Sequence, residues 1–321
     1  MTKTFIHVGL PKTATTFLQD KIFPKLSNIT LISRPYTQQS KAFNKLQYAD
    51  DCYSDSEEIK KEIGKITASK RLISDEILCG TQFTINRSLI VRRLKEVFPQ
   101  AEIILFLRGQ QSLLLSSYNQ KVKMGYTGKI EEFIRYSKKE YTYDDYQYDL
   151  SINKFRWNKN TRYYNYLSHN INLIDLCYYE LIKLYQENFP KVHVFLYEKF
   201  RENCQDVIAQ LENILEEKLE GFDSNILSDR VNEKLDTNKL HRTRAINKIK
   251  SIVKTKNKYL LNGGGLLYRL IVNDTQKPLG YEREYIQRIT KDFYVENNQK
   301  IVREYPEISI QDYPEEYQLE S

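Results

Sequence analysis

Four cysteines in 321 residues, Cys52, Cys79, Cys177 and Cys204, stand too far apart for the paired spacing of zinc or redox motifs. With 40% hydrophobic residues the chain can build its own core, so no disulfide framework is needed and a reduced, cytoplasmic protein is expected. No apolar run is long enough to span a membrane, and Met1-Thr-Lys-Thr leads straight into a strand-like run without the pattern of a signal peptide. No Gly/Ser linker and no internal repeat marks a boundary, which leads us to expect one domain over 1–321.

The most informative stretch covers residues 5 to 16, Phe-Ile-His-Val-Gly-Leu-Pro-Lys-Thr-Ala-Thr-Thr. An apolar strand runs into a turn shaped by Gly9 and Pro11, and a helical sequence follows. A strand feeding a helix N-terminus presents unpaired amides and the positive end of the helix dipole, both of which favour an anion. Lys12 adds a charge, and the hydroxyls of Thr13, Thr15 and Thr16 are suited to capping amides or donating to phosphate oxygens. An ATP or GTP loop would carry its lysine late, next to a hydroxyl residue for magnesium; here the lysine comes early.

The stretch Pro11-Lys-Thr-Ala-Thr-Thr16, P-K-T-x-T-T, resembles the 5′-phosphosulfate loop of sulfotransferases that use 3′-phosphoadenosine 5′-phosphosulfate (PAPS), and the overlapping stretch Ile6-His-Val-Gly-Leu-Pro-Lys-Thr13 resembles bacterial carbohydrate-type members in particular. By that resemblance Pro11, Lys12, Thr13, Ala14, Thr15 and Thr16 hold the cosubstrate. Ala14 stands where the family commonly has glycine. In a first helical turn alanine is favourable, so the substitution is expected to be without consequence.

Glu102-Ile-Ile-Leu-Phe-Leu107 reads as a fully buried strand, Arg108 follows it, and Ser116 lies on the helical sequence beyond. A strand-end arginine alone is more often a surface ion-pair former. Here strand, arginine and serine eight residues later resemble the family's 3′-phosphate motif, which implies that Arg108 and Ser116 hold that group. Between the two motifs, the apolar run Arg71–Ser74 ends in Asp75 and Glu76. Sulfuryl transfer to a hydroxyl needs a base for the acceptor proton and a cation for the departing oxygen. Glu76 is the candidate base and Lys12 the candidate electrophile, with Asp75 the better suited of the two acids to cap the next helix.

His7 and His193 sit in apolar strand patterns and read as structural, whereas His169 and His241 lie in polar surroundings without a partner spacing. His169 is retained as a second candidate base.

Runs at Thr4–Val8, Ile29–Ile32, Arg71–Ser74, Glu102–Leu107 and Val192–Tyr197 alternate with segments long enough for helical crossovers. The expectation is a P-loop-like three-layer α/β/α fold with a central parallel sheet of about five strands and helical C-terminal additions. Residues 125–166 read as a lid or acceptor-binding insertion, and 221–321 as a helical C-terminal extension in which Tyr281–Tyr305 forms one long helix. Within 141–166, seven tyrosines, Phe155 and Trp157 lie among polar residues; Tyr148, Trp157, Tyr163 and Tyr164 are suited to sugar faces, and equally to surface packing. A basic run from Lys239 to Lys258, including Arg244 and Lys248, is placed to close over PAPS or steer an acidic acceptor. The net charge of +7 fits an anionic cosubstrate, and no nucleic-acid recognition module accompanies it.

The function expected is transfer of a sulfuryl group from PAPS to a saccharide or glycolipid hydroxyl, giving adenosine 3′,5′-bisphosphate, with no metal required, no nucleic acid bound and no membrane span. A P-loop kinase and a non-catalytic glycan-binding protein on the same fold are the alternatives. The acceptor and the oligomeric state are not legible in the sequence.

Overall fold

Each of the five apolar runs becomes a strand, within a residue or so of the bounds read from the sequence. In the computed structural model, which describes residues 2–48, 56–66, 68–80, 87–135, 171–221, 237–254 and 280–319, these are β1 (Lys3–His7), β2 (Thr30–Ile32), β3 (Lys70–Ser74), β4 (Glu102–Leu107) and β5 (Lys191–Leu196). They form one parallel sheet in the order β2-β3-β1-β4-β5, flanked by helices. The central register pairs His7 with Ser74 on one side and with Ile104 on the other.

Parallel sheets are covered on both faces, and the burial pattern shows why this one must be. All six residues of β4 are buried, so its neighbouring side chains, which point to opposite faces, both need cover. Phe5, Leu72, Ile104 and Phe106 pack with Leu18, Ile22 and Phe23 of the helical run after β1 and with Val207, Leu211 and Leu215 of helix Cys204–Leu215. The alternate residues Ile6, Ile73, Ile103 and Leu105 are also fully buried, facing the other way. Phe106 stacks on Phe195 at 5.0 Å between centroids. Truncating a phenylalanine buried this way typically costs about 3–5 kcal/mol. The edge strands β2 and β5 carry most of the part-exposed positions.

The chain divides into two compact units. The first, Met1–Gln110, Leu176–Val231 and Tyr294–Ser321, contains the five-stranded sheet. The second, Gln111–Asp175 and Asn232–Phe293, contains most of helix Gln110–Lys123, a short parallel pairing of Ile134–Arg135 with Ile171–Asn172, helix Thr237–Lys254 and helix Tyr281–Thr290. The long C-terminal helix expected over Tyr281–Tyr305 is instead two, Tyr281–Thr290 and Val295–Glu304. At the break Thr290 turns its hydroxyl back onto the Ile286 carbonyl at 2.8 Å, a bond that competes with helix continuation.

The basic helix Thr237–Lys254 also differs from expectation. Arg244 is fully buried and donates to Tyr118 Oη at 2.6 Å, and His241, expected in polar surroundings, is buried with its Nε2 2.8 Å from Glu282 Oε1. These two side chains therefore hold the second unit together, and Arg244 is withdrawn from any role over a cosubstrate. No helix among the described residues is long and apolar enough to cross a membrane.

Beneath the end of β1, His7 is fully buried between the ring edges of Phe23 and Phe106, with Nδ1 2.7 Å from Ser74 Oγ. Gln19 Nε2 donates to the Ser74 carbonyl at 2.9 Å. Burial pushes the His7 imidazole down to about 3. Its folded value lies below the unfolded one of 6.5, so the unfolded chain takes up this proton first as pH falls. The stability it contributes is complete above pH 6.5 and is lost progressively toward pH 3, at up to about 1.4 kcal/mol per pH unit. Urea unfolding between pH 7 and 4 is expected to show this slope, and His7→Asn, which can keep the bond to Ser74, to flatten it; parallel pH dependences for the two proteins would refute the assignment.

Candidate functional site

Loops leaving the carboxyl ends of β1, β3 and β4 emerge side by side, because those strands are neighbours in register. From β1 the chain passes to β2 on one side, and from β3 it crosses to β4 on the other, so the connections reverse direction here. Open parallel sheets bind ligands at such a point.

The loop after β1 is tightly constrained. A side chain at Gly9 would meet Thr15 Oγ1 at 2.7 Å and His7 Nε2 at 2.9 Å, so only glycine fits. Lys12 and Ala14 both have positive φ, 74° and 68°. The expectation for Ala14 is thereby corrected. Ala14 is the residue preceding the helix, in the left-handed conformation, and not a member of the first turn. That conformation costs an L-residue about 1–2 kcal/mol and persists only where neighbours enforce it.

The hydroxyls serve the loop itself. Thr13 Oγ1 donates to the Leu10 carbonyl at 2.5 Å, and Thr15 Oγ1 reaches the same oxygen at 3.4 Å; both threonines are buried. Neither forms the helix cap that the sequence suggested: Ala14 holds the capping position, and no side chain bonds there. Thr16 is exposed, and Pro11 and Lys12 are half-buried. No side chain caps the start of this helical run.

Arg108, at the end of β4, reaches this loop. It is 5% exposed, and its Nη1 donates to the Lys12 carbonyl at 2.8 Å. The guanidinium lies over the Tyr197 ring, 4.3 Å from the centroid, and Tyr178 Oη donates to the Arg108 carbonyl at 2.6 Å. Tyr197, expected as the end of a strand, instead opens helix Tyr197–Glu202. A charge-assisted hydrogen bond of this kind contributes about 1.5–3 kcal/mol, enough to offset the strain of one left-handed residue. Next to it, Glu198 is buried, accepting from Gly109 N at 3.1 Å and Tyr317 Oη at 3.0 Å; burial raises its carboxyl. Ser116 is half-buried on helix Gln110–Lys123, in the second unit.

After β3, Asp75 caps the short helix Glu76–Cys79 by accepting from Ile77 N at 3.0 Å. It is fully buried and also accepts from Thr37 Oγ1 at 2.5 Å. Glu76 is half-buried, and Arg34 Nη2 lies 2.5 Å from its Oε1 and 3.4 Å from Asp75 Oδ1. Arg34 was not legible as a site residue. The available signal was its place just after the end of β2, the same kind of position that singled out Arg108. Tyr148, Trp157, Tyr163, Tyr164 and His169 lie outside the described residues. Among the described residues no group of three or more His, Cys, Asp or Glu side chains is arranged to hold a metal ion.

No protein-family model matches the chain, and no curated protein matches it. Among solved structures, a sulfotransferase from Alicyclobacillus acidocaldarius is similar at a TM-score of 0.45 and 12% identity, over 88% of this chain and 99% of that one. A likeness so distant assigns no residue its role.

The strain at Ala14 can be tested directly. Glycine would relieve about 1–2 kcal/mol of backbone strain but add about 0.5–1 kcal/mol of unfolded-chain entropy. Ala14→Gly is therefore expected to leave the denaturant midpoint unchanged or slightly raised. Ala14→Val, with a branched Cβ at positive φ, is expected to lose about 1–3 kcal/mol. A large loss with glycine and none with valine would show that residue 14 does not hold this conformation.

Proposed function

We propose that the chain is a PAPS-dependent sulfotransferase that moves a sulfuryl group to a hydroxyl, with a saccharide or glycolipid as acceptor. The observation that carries this reading is the link between the two phosphate motifs: the Arg108 guanidinium bonded to the carbonyl of Lys12, across the reversal point of a parallel sheet. The constrained Gly9 turn, the uncapped helical start and the half-buried Lys12 suit the anionic phosphosulfate end. Arg108 suits the 3′-phosphate.

In this reading Glu76 removes the acceptor proton as the acceptor oxygen attacks sulfur in line. The bond from sulfur to the phosphate oxygen breaks, and Lys12 stabilises the charge that collects on that oxygen. The products are a sulfate ester and adenosine 3′,5′-bisphosphate. Arg34 holds Oε1 of Glu76, which leaves Oε2 to take the proton. The acceptor class follows from the resemblance of the loop, and the aromatic stretch around Trp157 suits the face of a sugar.

Calorimetry without magnesium is expected to show the bisphosphate binding far more tightly than 5′-AMP or ATP. Preference for ATP with magnesium would move the chain to the kinases, and glycan binding without nucleotide affinity to a binding protein. In turnover of PAPS with a panel of sugar acceptors, Lys12→Ala and Glu76→Gln are each expected to lose about 100-fold or more, the scale of general acid–base and electrostatic contributions. Glu76→Gln is expected to keep bisphosphate affinity; an active Glu76→Gln enzyme would remove Glu76 as the base.

A further inference from the structure

We propose that Arg108 is also a positioning residue for the phosphate loop, a latch that holds the left-handed backbone at Lys12 and so couples the two phosphate-bearing ends of the bound nucleotide. The proposal rests on the PAPS reading for its ligand, but the latch itself is a property of the loop.

Three observations carry it. Lys12 and Ala14, both with a Cβ, hold positive φ within a three-residue stretch, which neighbouring groups must enforce. The Thr13 hydroxyl fixes the near side of that stretch to the Leu10 carbonyl. Across the sheet, Arg108 supplies a bond to the Lys12 carbonyl itself. Its guanidinium is in turn fixed by burial and by the Tyr197 ring, while Tyr178 ties down its main-chain carbonyl. A side chain serving only as a ligand for a distant phosphate has no need of this anchoring. A guanidinium can donate to a carbonyl, stack on a ring and still present further N–H groups, which an ammonium cannot do together.

If Arg108 only gripped the 3′-phosphate, its loss would weaken ligands that carry that group and leave others alone. A latch makes a different prediction, because the loop serves every 5′-phosphate. Arg108→Ala should weaken 5′-AMP, which lacks the 3′-phosphate, by about tenfold, as expected when one charge-assisted hydrogen bond is lost. Arg108→Lys, which keeps the charge but not the planar fork, should weaken 5′-AMP similarly while retaining part of the affinity for adenosine 3′,5′-bisphosphate. A readout independent of any ligand is hydrogen exchange: peptides covering residues 9–17 should exchange about tenfold faster in either variant, with those covering 102–107 unchanged.

Unchanged 5′-AMP affinity and unchanged loop exchange, with only the bisphosphate weakened, would overturn the latch and leave a simple phosphate ligand. Faster loop exchange in a protein that binds neither nucleotide would support the latch and overturn the PAPS reading. Unchanged exchange in such a protein would overturn both. Should Arg108→Ala not fold, Arg108→Lys carries the same comparison.

Discussion

Parallel pairing of β1 with β3 on one side and β4 on the other is the constraint from which the candidate site follows. The strand rise and the shared register leave no choice about which loops meet: residues following His7, Ser74 and Leu107 emerge at one edge of the sheet. The loop carrying Lys12, the acidic pair Asp75 and Glu76, and Arg108 thus become neighbours although they lie far apart in sequence. The outer pairing of β2 with β3, with Ile32 opposite Ile73, does the same for Arg34. Side chains presented this way are held by strand ends, and their spacing inherits the rigidity of the sheet.

Polar groups buried under that edge make the arrangement specific. Burying His7, Ser74 and Asp75 is costly unless their hydrogen bonds are made. His7 and Gln19 converge on Ser74, while Thr37 and the Ile77 amide converge on Asp75. A one-residue slip of β3 would turn Ser74 to the other face and leave His7 without this partner. The apolar residues of the strands would tolerate such a slip far better, since both faces are apolar. The register is therefore held by its few buried polar contacts more than by its many apolar ones.

What was legible in the sequence follows from this division. Continuous apolar runs of strand length, each ending at a polar or turn residue, located all five strands, because burial on both faces writes itself into composition. Asp75 was legible as a cap, since a cap bonds an amide two residues along the chain. Ala14 was misjudged because residue type does not report φ: alanine suits a first helical turn, and the strain appears only when the turn's geometry is known. Arg34 and His241 were missed for a related reason. Their partners, Glu76 and Glu282, are about forty residues away, and only the packing of elements brings them together.

The use of alanine and lysine where glycine would be unstrained has a physical consequence for binding. A glycine-rich loop samples both signs of φ, and an anion that orders it must offset that lost freedom. A loop whose side chains forbid most alternatives, and whose strained conformation is enforced by Thr13 and Arg108, has little left to lose on binding. The strain is carried in the folded state, where it lowers stability by about 1–2 kcal/mol per residue. The same strain keeps the loop in one geometry before any ligand arrives. On this view the buried network beneath β1 and the apolar sheet do more than define a fold: their surplus stability is what permits two left-handed residues, Lys12 and Ala14, within one three-residue stretch.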